Sequence, residues 1–548
     1  MGRTMSLIDI SRQRGPRQLI DRFTSDDNSQ ETRAYWLVFF AILLAGAVLR
    51  FWNLGAGPIW MDEAVSLGFA RLPASTILFG QIDNHPPLSF LIQHLWQAVV
   101  PDPAYARVPA ALSGVFGLAA IMFAARDQVS PRCALFAGLV FAFSTAHIYY
   151  SQDARMYPHL VLGLILASWG GLGQLRENLY GPRTYAALYV IGGAIAIYSH
   201  LIGLVVMALI GFASLAGGLM RPDARRFATD WLVRNLVLFV VTLPWLIQIP
   251  AASGTFPGLS DSVGLLDMHW FYRNATGFPG LGGPSFLVEA VLYAAAGLSV
   301  PIAWLRGRRG LAVMLAALIV LFPLVILALH LRQPIISNRV LLPGLIGVTL
   351  GAAYTLASLR PKLAGVAAAG LIALAGLRSS GFELAHRVKL ENYPAAFAFA
   401  DARGYEGAPV LTCIHFTTAA VWEARREAQV LYYRRGDIIE YHGPEYWQAA
   451  SNSMAWLRAA DAAQIDEALG GGWRIDGGLA GALQGQERLV FMRPFCPGNK
   501  ETEILAALST LGFAQETEKL VDDGAADFTI LQAPEARVSL HRRTTEAD

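Results

Sequence analysis

Apolar stretches of about membrane-spanning length recur eleven times between residues 34 and 378, and they restrict the fold more than any other feature. A bilayer core of about 30 Å requires roughly 20 apolar residues per helix. Only 15% of the residues are charged, whereas soluble domains have about a quarter. We therefore expect a mostly α, polytopic membrane protein of about eleven transmembrane helices. The stretches lie at about 34–50, 106–125, 132–148, 157–175, 184–199, 201–219, 231–250, 285–305, 311–330, 339–358 and 363–378.

Basic residues are distributed unevenly between the two sets of connecting loops, and this predicts the orientation. Short cytoplasmic loops carry an excess of Lys and Arg, so the richer set is predicted to be cytoplasmic, together with the Arg-rich tail 1–33. An odd number of spans then places 384–548 outside the cytoplasm. The richer loops hold Arg126, Arg132, Arg176, Arg183, Arg221, Arg225, Arg226, Arg306, Arg308, Arg309, Arg360 and Lys362. The opposite loops hold Arg71, Arg155, Arg273 and Arg332.

The predicted organisation is a cytoplasmic tail (1–33), a transmembrane domain (34–383) and an extracytoplasmic C-terminal domain (384–548). Two outer loops, 51–105 and 251–284, interrupt the transmembrane domain. "GFARLPASTILFG" and "PPLSFLIQHLWQAVV" in the first loop read as short amphipathic helices along the membrane interface. In the C-terminal region "APVLTCI", "AQVLYY", "RLVFMRPF" and "FTILQA" read as strands and "TTAAVWEARRE" as a helix, which favours a small α/β domain. The spacing of Cys413 and Cys496 does not argue for a disulfide, and their pairing stays open.

Polar residues at the predicted outer ends of the spans come from loops far apart in sequence. Each has a plain structural explanation: a helix cap at Asp62 and Glu63, a turn at the "HPP" of His85, flanking arginines, and a local surface pair of Asp153 with Arg155. All of these explanations would have to hold on one side of one membrane, which favours a common site. The set is Asp62, Glu63, His85, Arg107, Asp153, Arg155, His200, Asp267, His269, Arg273, Arg332 and Arg339.

Carboxylates beside arginines at headgroup depth suit a substrate with a lipid tail and an anionic head. The guanidinium of arginine matches phosphate oxygens, and a carboxylate near a hydroxyl is a general base for glycosyl transfer. Phosphate is a good leaving group, so cations that stabilise its developing charge replace a strong general acid. One carboxylate and nearby arginines therefore make a minimal glycosyltransferase site.

The ordered motifs "MDEA", "HPPL", "YSQDARMY", "YSHLIG" and "SNRVLLP" resemble the GT-C fold glycosyltransferases that use polyprenyl-phosphate-linked sugars. The resemblance is to the bacterial branch with protein mannosyltransferase-like enzymes and the lipid A aminoarabinose transferase. It covers residues 52 to about 345. It implies a sugar donor on polyprenyl phosphate and an acceptor that is a glycolipid, a glycan or a protein, at the cell inner membrane.

The resemblance also implies roles for the matching residues. Asp62 is expected to be the catalytic base, with Glu63 in support and Asp153 as a second essential acid. Arg155 is expected to order the site or bind phosphate, and His85 to form a wall of the cavity. Arg107, His200 and Arg339 join the expected substrate-binding residues. Some relatives hold a divalent metal and others need none, so a metal stays open, with His269 as a candidate ligand.

The competing class is a transporter or lipid flippase. Such proteins place ionisable groups near the middle of the membrane in broken helices, often in repeated halves. This chain has no internal repeat, and its polar groups other than Glu289 gather near one surface. The enzyme is favoured for that reason. The sugar and the acceptor are not specified: mannose, galacturonic acid, arabinose and aminoarabinose all fit. Nothing in the charge pattern indicates a nucleic-acid partner.

Overall fold

Helices dominate the chain up to Ala385, and a seven-stranded sheet forms in the C-terminal part. The fold class is therefore mostly helical with a small C-terminal sheet region, as predicted. The computed structural model describes residues 30–80, 83, 85–176, 179–249, 265–278, 285–332, 335–385, 392–413, 415–434, 437–441, 466, 471–493, 496, 498–520 and 537–543. The predicted tail 1–33 and the loop 251–284 thus fall largely outside the described residues.

Eighteen α-helices lie between Gln30 and Ala385 in the described residues, together with a short 3-10 helix, Pro103–Tyr105. A π-helical turn, Ala317–Leu321, joins α14 to α15. The segments are α1 (Gln30–Phe51), α2 (Met61–Ala70), α3 (Ala74–Phe79), α4 (Leu88–Val99), α5 (Val108–Gln128), α6 (Pro131–Ala142), α7 (Thr145–Ser151), α8 (Tyr157–Leu175), α9 (Pro182–Ser199), α10 (Leu201–Leu219), α11 (Ala224–Leu246), α12 (Leu265–Thr276), α13 (Ser285–Leu305), α14 (Arg309–Ala316), α15 (Phe322–His330), α16 (Asn338–Leu341), α17 (Gly344–Ser358) and α18 (Lys362–Ala385).

Eight helices of the described residues are long and apolar enough to cross a membrane. Helices α6 and α7 meet at a bend of 65° and make a ninth if they form one span. Helix α9 does not meet the same criteria, and α17 is apolar but has only 15 residues. The predicted apolar stretches all overlap helices, but the count of about eleven spans is not confirmed.

Helices α8 and α9 pack with their backbones in close approach. A Cβ atom on Gly163 would lie 2.7 Å from the backbone N of Ala196 and the backbone O of Gly192. Small residues at such positions are how apolar helices approach closely in a membrane, where packing replaces the hydrophobic effect. The contact brings Tyr157 at the start of α8 beside His200 at the end of α9, with 5.9 Å between their ring centroids. Both belong to the candidate site.

The segment predicted to be the first outer loop, 51–105, forms three short helices, α2, α3 and α4. The two predicted amphipathic stretches correspond to α3 with the end of α2, and to α4. The indole Nε1 of Trp96 donates a hydrogen bond to the backbone oxygen of Tyr105, at 2.9 Å. This contact ties the C-terminal end of α4 to the segment that leads into α5.

The C-terminal sheet has the strand order β4-β3-β2-β1-β5-β7-β6. Strands β2, β1 and β5 run parallel, and the outer pairings are antiparallel. The strands are β1 (Val410–Thr412), β2 (Val430–Arg434), β3 (Asp437–Tyr441), β4 (Arg474–Ile475), β5 (Arg488–Met492), β6 (Phe513–Leu520) and β7 (Arg537–Arg543). The helices of this region are α19 (Tyr393–Asp401), α20 (His415–Ala424), α21 (Gly478–Ala482) and α22 (Gly498–Thr510).

Three of the four predicted strands and the predicted helix are present as β1, β2, β5 and α20. The fourth predicted strand, "FTILQA", lies outside the described residues. A disulfide joins Cys413, which follows β1, to Cys496, which follows β5, with 5.7 Å between their Cα atoms. That separation is ordinary for a disulfide. The spacing of the two cysteines does not predict this disulfide, because it does not show the strand order that brings them together.

Candidate active site

Helix α2 places two adjacent acids in different surroundings. Asp62 and Glu63 both lie in its first turn, and successive residues of an α-helix point about 100° apart. The side chain of Glu63 is fully buried, whereas that of Asp62 is 18% exposed. Asp62 is therefore the more accessible acid of this pair.

Glu63 is held by a two-pronged ion pair. Arg107 donates from Nε to Oε1 and from Nη2 to Oε2, both at 2.7 Å, and the backbone N–H of Ala154 donates to Oε1 at 2.9 Å. The same guanidinium also donates to the backbone oxygens of Leu54, Gly57 and Pro58. Arg107 is itself only 2% exposed. The pair joins three segments of the chain and offers little surface to a ligand.

Asp62 lies between two arginines. Arg339 Nη1 donates to Asp62 Oδ2 at 2.8 Å, and Arg155 Nη2 lies 3.7 Å from the same oxygen. Arg155 also donates from Nη1 to the backbone oxygen of Asp62 and to Ser66 Oγ, at 3.0 and 2.7 Å. Arg339 Nη1 further contacts the hydroxyl of Tyr157 at 3.3 Å. The side chain of Arg339 is 26% exposed and that of Arg155 4%, so Arg339 is the more accessible cation.

The charges around Asp62 decide its ionisation. Burial acts to raise its pKa, but Arg155, Arg339 and then His85 lower it by more, so the pKa of Asp62 lies below its usual value. The carboxylate is ionised at neutral pH. Two guanidinium charges against one carboxylate leave the cluster positive, which favours an anionic ligand.

Asp153 anchors the segment 149–160, which contains the "YSQDARMY" motif. All twelve residues of 149–160 are buried. The indole Nε1 of Trp60 donates to Asp153 Oδ1 at 2.8 Å, and the amide of Gln152 donates to the backbone oxygens of Leu49 and Trp52. Asp153 is fully buried. The loop is thereby attached to the residue that precedes α2, next to Asp62.

His85 and His200 form a second side of the site. Their ring centroids are 5.4 Å apart, and His85 Nδ1 lies 3.2 Å from Asp83 Oδ2. His200 Nδ1 accepts the backbone N–H of Ile202 at 3.1 Å, at the start of α10. Burial, and then the proximity of His85, Arg155 and Arg339, place the pKa of His200 well below its usual value. His200 is therefore neutral, and its Nε2 carries the proton as a hydrogen-bond donor.

His269 lies exposed on α12. Within the part of the chain that the structure describes, no three His, Cys, Asp or Glu side chains come together in a way that could hold a metal ion. His269 is thus not part of a built metal site among those residues.

Sequence reasoning missed Trp60, Ser66 and Tyr157, which contact the predicted residues directly. Trp60 immediately precedes "MDEA", and Tyr157 is the last residue of the "YSQDARMY" motif. Both therefore lie within the range, 52 to about 345, that carries the resemblance. Nothing in the spacing of the motifs indicates that Trp60 bonds to Asp153, which lies 93 positions away. The guanidinium of Arg339 also lies 6.0 Å from the ring centroid of Trp60.

No family model matches the chain, and no curated protein sequence matches it. Solved structures do. ArnT from Cupriavidus metallidurans in the apo state matches with a TM-score of 0.60 and 12% identity, over 93% of this chain and 98% of that one. The same protein bound to undecaprenyl phosphate matches with a TM-score of 0.57 and 14% identity, over 92% and 98%. These likenesses confirm the predicted GT-C fold.

Proposed function

We propose that this chain is an integral-membrane glycosyltransferase that transfers a sugar from a polyprenyl-phosphate-linked donor to an envelope acceptor. The observation that carries the proposal is the partly exposed Asp62 carboxylate between Arg339 and Arg155. The GT-C fold supports it, as does a structural neighbour that binds undecaprenyl phosphate. The acceptor is a glycolipid, a glycan or a protein of the envelope.

In the proposed reaction an acceptor hydroxyl oxygen attacks the anomeric carbon of the donor sugar. The bond between that carbon and the phosphate oxygen breaks, and polyprenyl phosphate leaves with the electron pair. Asp62 takes the proton of the hydroxyl as general base. Arg339 and Arg155 stabilise the negative charge that develops on the phosphate. A protonated side chain is not required at the leaving group.

In this mechanism, binding of the donor changes the pKa of the base, Asp62. Arg339 contacts Asp62 at 2.8 Å, and a donor phosphate competes for the same guanidinium. When the guanidinium of Arg339 binds the donor phosphate, it stabilises the Asp62 carboxylate less, and the pKa of Asp62 rises. Asp62 then becomes a stronger base only once the donor is bound.

Glu63 and Asp153 act in support in this proposal. Both are fully buried, and each is bonded to a group that positions the outer face: Arg107 for Glu63 and Trp60 for Asp153. His85 and the neutral His200 border the sugar. The buried contacts of Glu63, Asp153 and Arg107 thus keep Asp62 and Arg155 in position. We assign no direct contact with the donor to Arg107.

The proposed location is the inner membrane, with the site and the region 384–548 on the extracytoplasmic face. The arginine asymmetry between the two sets of loops supports this orientation. The proposed domains are 1–33, 34–383 and 384–548. In this orientation, lipid-linked sugars and envelope acceptors both reach the site from the extracytoplasmic side of the membrane.

Purified protein in detergent or lipid nanodiscs should release polyprenyl phosphate from a polyprenyl-phosphate sugar when an envelope lipid or glycan extract is added. No ion gradient should be required. Mass spectrometry of the extract would show the added sugar, and the same comparison in a deletion strain would name sugar and acceptor. In sealed proteoliposomes, donor that crosses the bilayer intact, with no glycosidic product, would instead indicate a flippase.

Replacing Arg339 by Ala should raise the apparent KM for the lipid-linked sugar by about 10- to 100-fold. A lost charge-assisted contact to phosphate is worth on the order of 1.5–3 kcal/mol. Arg155→Ala should have a similar or smaller effect, because its guanidinium is almost completely buried. Initial-rate kinetics with varied donor would measure both.

Arg332→Ala is the matched control, since Arg332 is an exposed arginine at the end of α15. Its donor KM should stay at the wild-type value. Unchanged donor KM in Arg339→Ala and Arg155→Ala would remove both residues from the phosphate site.

A further inference from the structure

Helix α2 is held between two parts of the chain that are far apart in sequence. One face carries Glu63 and Ser66, which contact Arg107 and Arg155 of the helical part. Other positions of the helix, Ala64, Val65 and Phe69 among them, belong to a different hydrophobic core. That core also contains residues of α19, α20 and the central strands of the C-terminal sheet. The helix that carries Asp62 is therefore shared by both parts.

Helix α20 packs directly on α2. Ala419, Ala420 and Val421 are fully buried in the core they share with Ala64 and Val65. Small side chains on both helices allow a close approach of the backbones. The contact begins two residues from Asp62, so a shift of α20 is transmitted to the first turn of α2.

An ion pair fixes the other end of α2. Arg71, the residue that ends the helix, pairs with Glu423 near the end of α20, and Glu423 is only 3% exposed. Arg426 Nη2 lies 3.2 Å from the second oxygen of Glu423. The guanidinium carbon of Arg71 lies 5.7 Å from the ring centroid of Trp422, within cation–π distance. Glu423 thus connects α2 to the sheet region through an ion pair whose acid is almost completely buried.

We propose that helix α20 sets the position of Asp62 and that Glu423 is a positioning residue for the transfer reaction. This rests on the proposed function. Helix α2 has 10 residues, about 15 Å of rise, so it moves as one short rod. The arginines of the helical part hold its Asp62 end and α20 holds its Arg71 end. A misplacement of about 1 Å at a catalytic group costs as much as 100-fold in rate.

Glu423→Gln keeps the shape of the side chain and removes the charge that holds Arg71. It should lower kcat by about 10-fold or more and leave the donor KM within about twofold, because the phosphate-binding arginines are untouched. The exchanged pair Arg71→Glu with Glu423→Arg should restore part of the lost kcat. Asp437→Asn is the matched control: it breaks the Arg474–Asp437 pair, 2.8 Å, on strands of the same sheet. Its kcat should equal that of the wild type.

Hydrogen exchange of the amides of residues 61–70 gives a readout that does not depend on activity. Glu423→Gln should exchange faster there than wild type, and Asp437→Asn should not. Faster exchange would support the docking even if the wild-type protein transferred no sugar, a result that would overturn only the proposed function. Unchanged exchange, or faster exchange with wild-type kcat in an active enzyme, would overturn the positioning role of Glu423.

Discussion

Asp62→Asn should lower transfer by about 10²- to 10⁴-fold, the range typical for loss of a general base. The substitution keeps the size of the side chain, and its amide oxygen still accepts a hydrogen bond from Arg339. What it removes is the ability to take the proton of the acceptor hydroxyl. Single-turnover kinetics with saturating donor and acceptor would isolate this step from product release.

Donor binding should survive in Asp62→Asn and should even become tighter. The wild-type carboxylate competes with the donor phosphate for Arg339, which it contacts at 2.8 Å. Without that carboxylate charge, both guanidinium groups are available to phosphate. Titration of the variant with a polyprenyl-phosphate sugar, in the absence of acceptor, would measure the change.

Two comparisons make the test decisive. If Asp62 serves only the first turn of α2, whose N-cap is Trp60, Asn should replace it at little cost and transfer should barely change. Asp153→Asn keeps an acceptor for the indole of Trp60 and should retain more activity than Asp62→Asn, since Asp153 is fully buried. If Asp62→Asn transferred sugar at a near-normal rate, the general base would instead be Glu63 or Asp153.

The membrane part of the fold follows from the sequence because its cause is local. Each helix needs only a run of apolar residues, and all predicted stretches overlap helices. The number of spans does not follow, since it depends on how short or polar helices such as α9 and α17 sit in the bilayer. For α17, 15 residues are about 22 Å of helix, less than the bilayer core.

The sequence predicts which residues form the site, but not which of them is exposed and which is buried in an ion pair. Asp62 and Glu63 are neighbours in sequence, and only the rotational position of α2 exposes one and buries the other. Arg107 and Arg339 both sit at span ends, yet one is closed in a pair with Glu63 and the other faces Asp62. These differences arise from contacts across many positions, which the sequence alone does not specify.

The contact between α20 and α2 is the feature of the fold that the sequence predicts least. Arg71 and Glu423 are 352 positions apart and belong to segments that read as an interface helix and as part of a separate small domain. "TTAAVWEARRE" does predict a helix. Its small residues indicate a close packing face, but not the helix on which that face packs.

Glu63→Gln should cause the largest loss of stability among the site variants, on the order of 3–5 kcal/mol. Breaking a buried ion pair by removing one partner leaves an uncompensated charge, here the guanidinium of Arg107 at 2% exposure. The loss should appear as a lower midpoint of thermal unfolding in detergent. Asp223→Asn, which breaks the more exposed pair with Arg221, should leave the midpoint unchanged.

Replacing both partners, Glu63→Leu with Arg107→Met, separates stability from chemistry. Apolar residues of similar volume should recover most of the lost stability, because no charge is then left buried. Transfer should recover only in part, since the backbone oxygens of Leu54, Gly57 and Pro58 lose their donor and α2 is held less firmly. An unchanged unfolding midpoint in Glu63→Gln together with a loss of transfer as large as that of Asp62→Asn would show instead that Glu63 takes part in the chemistry itself.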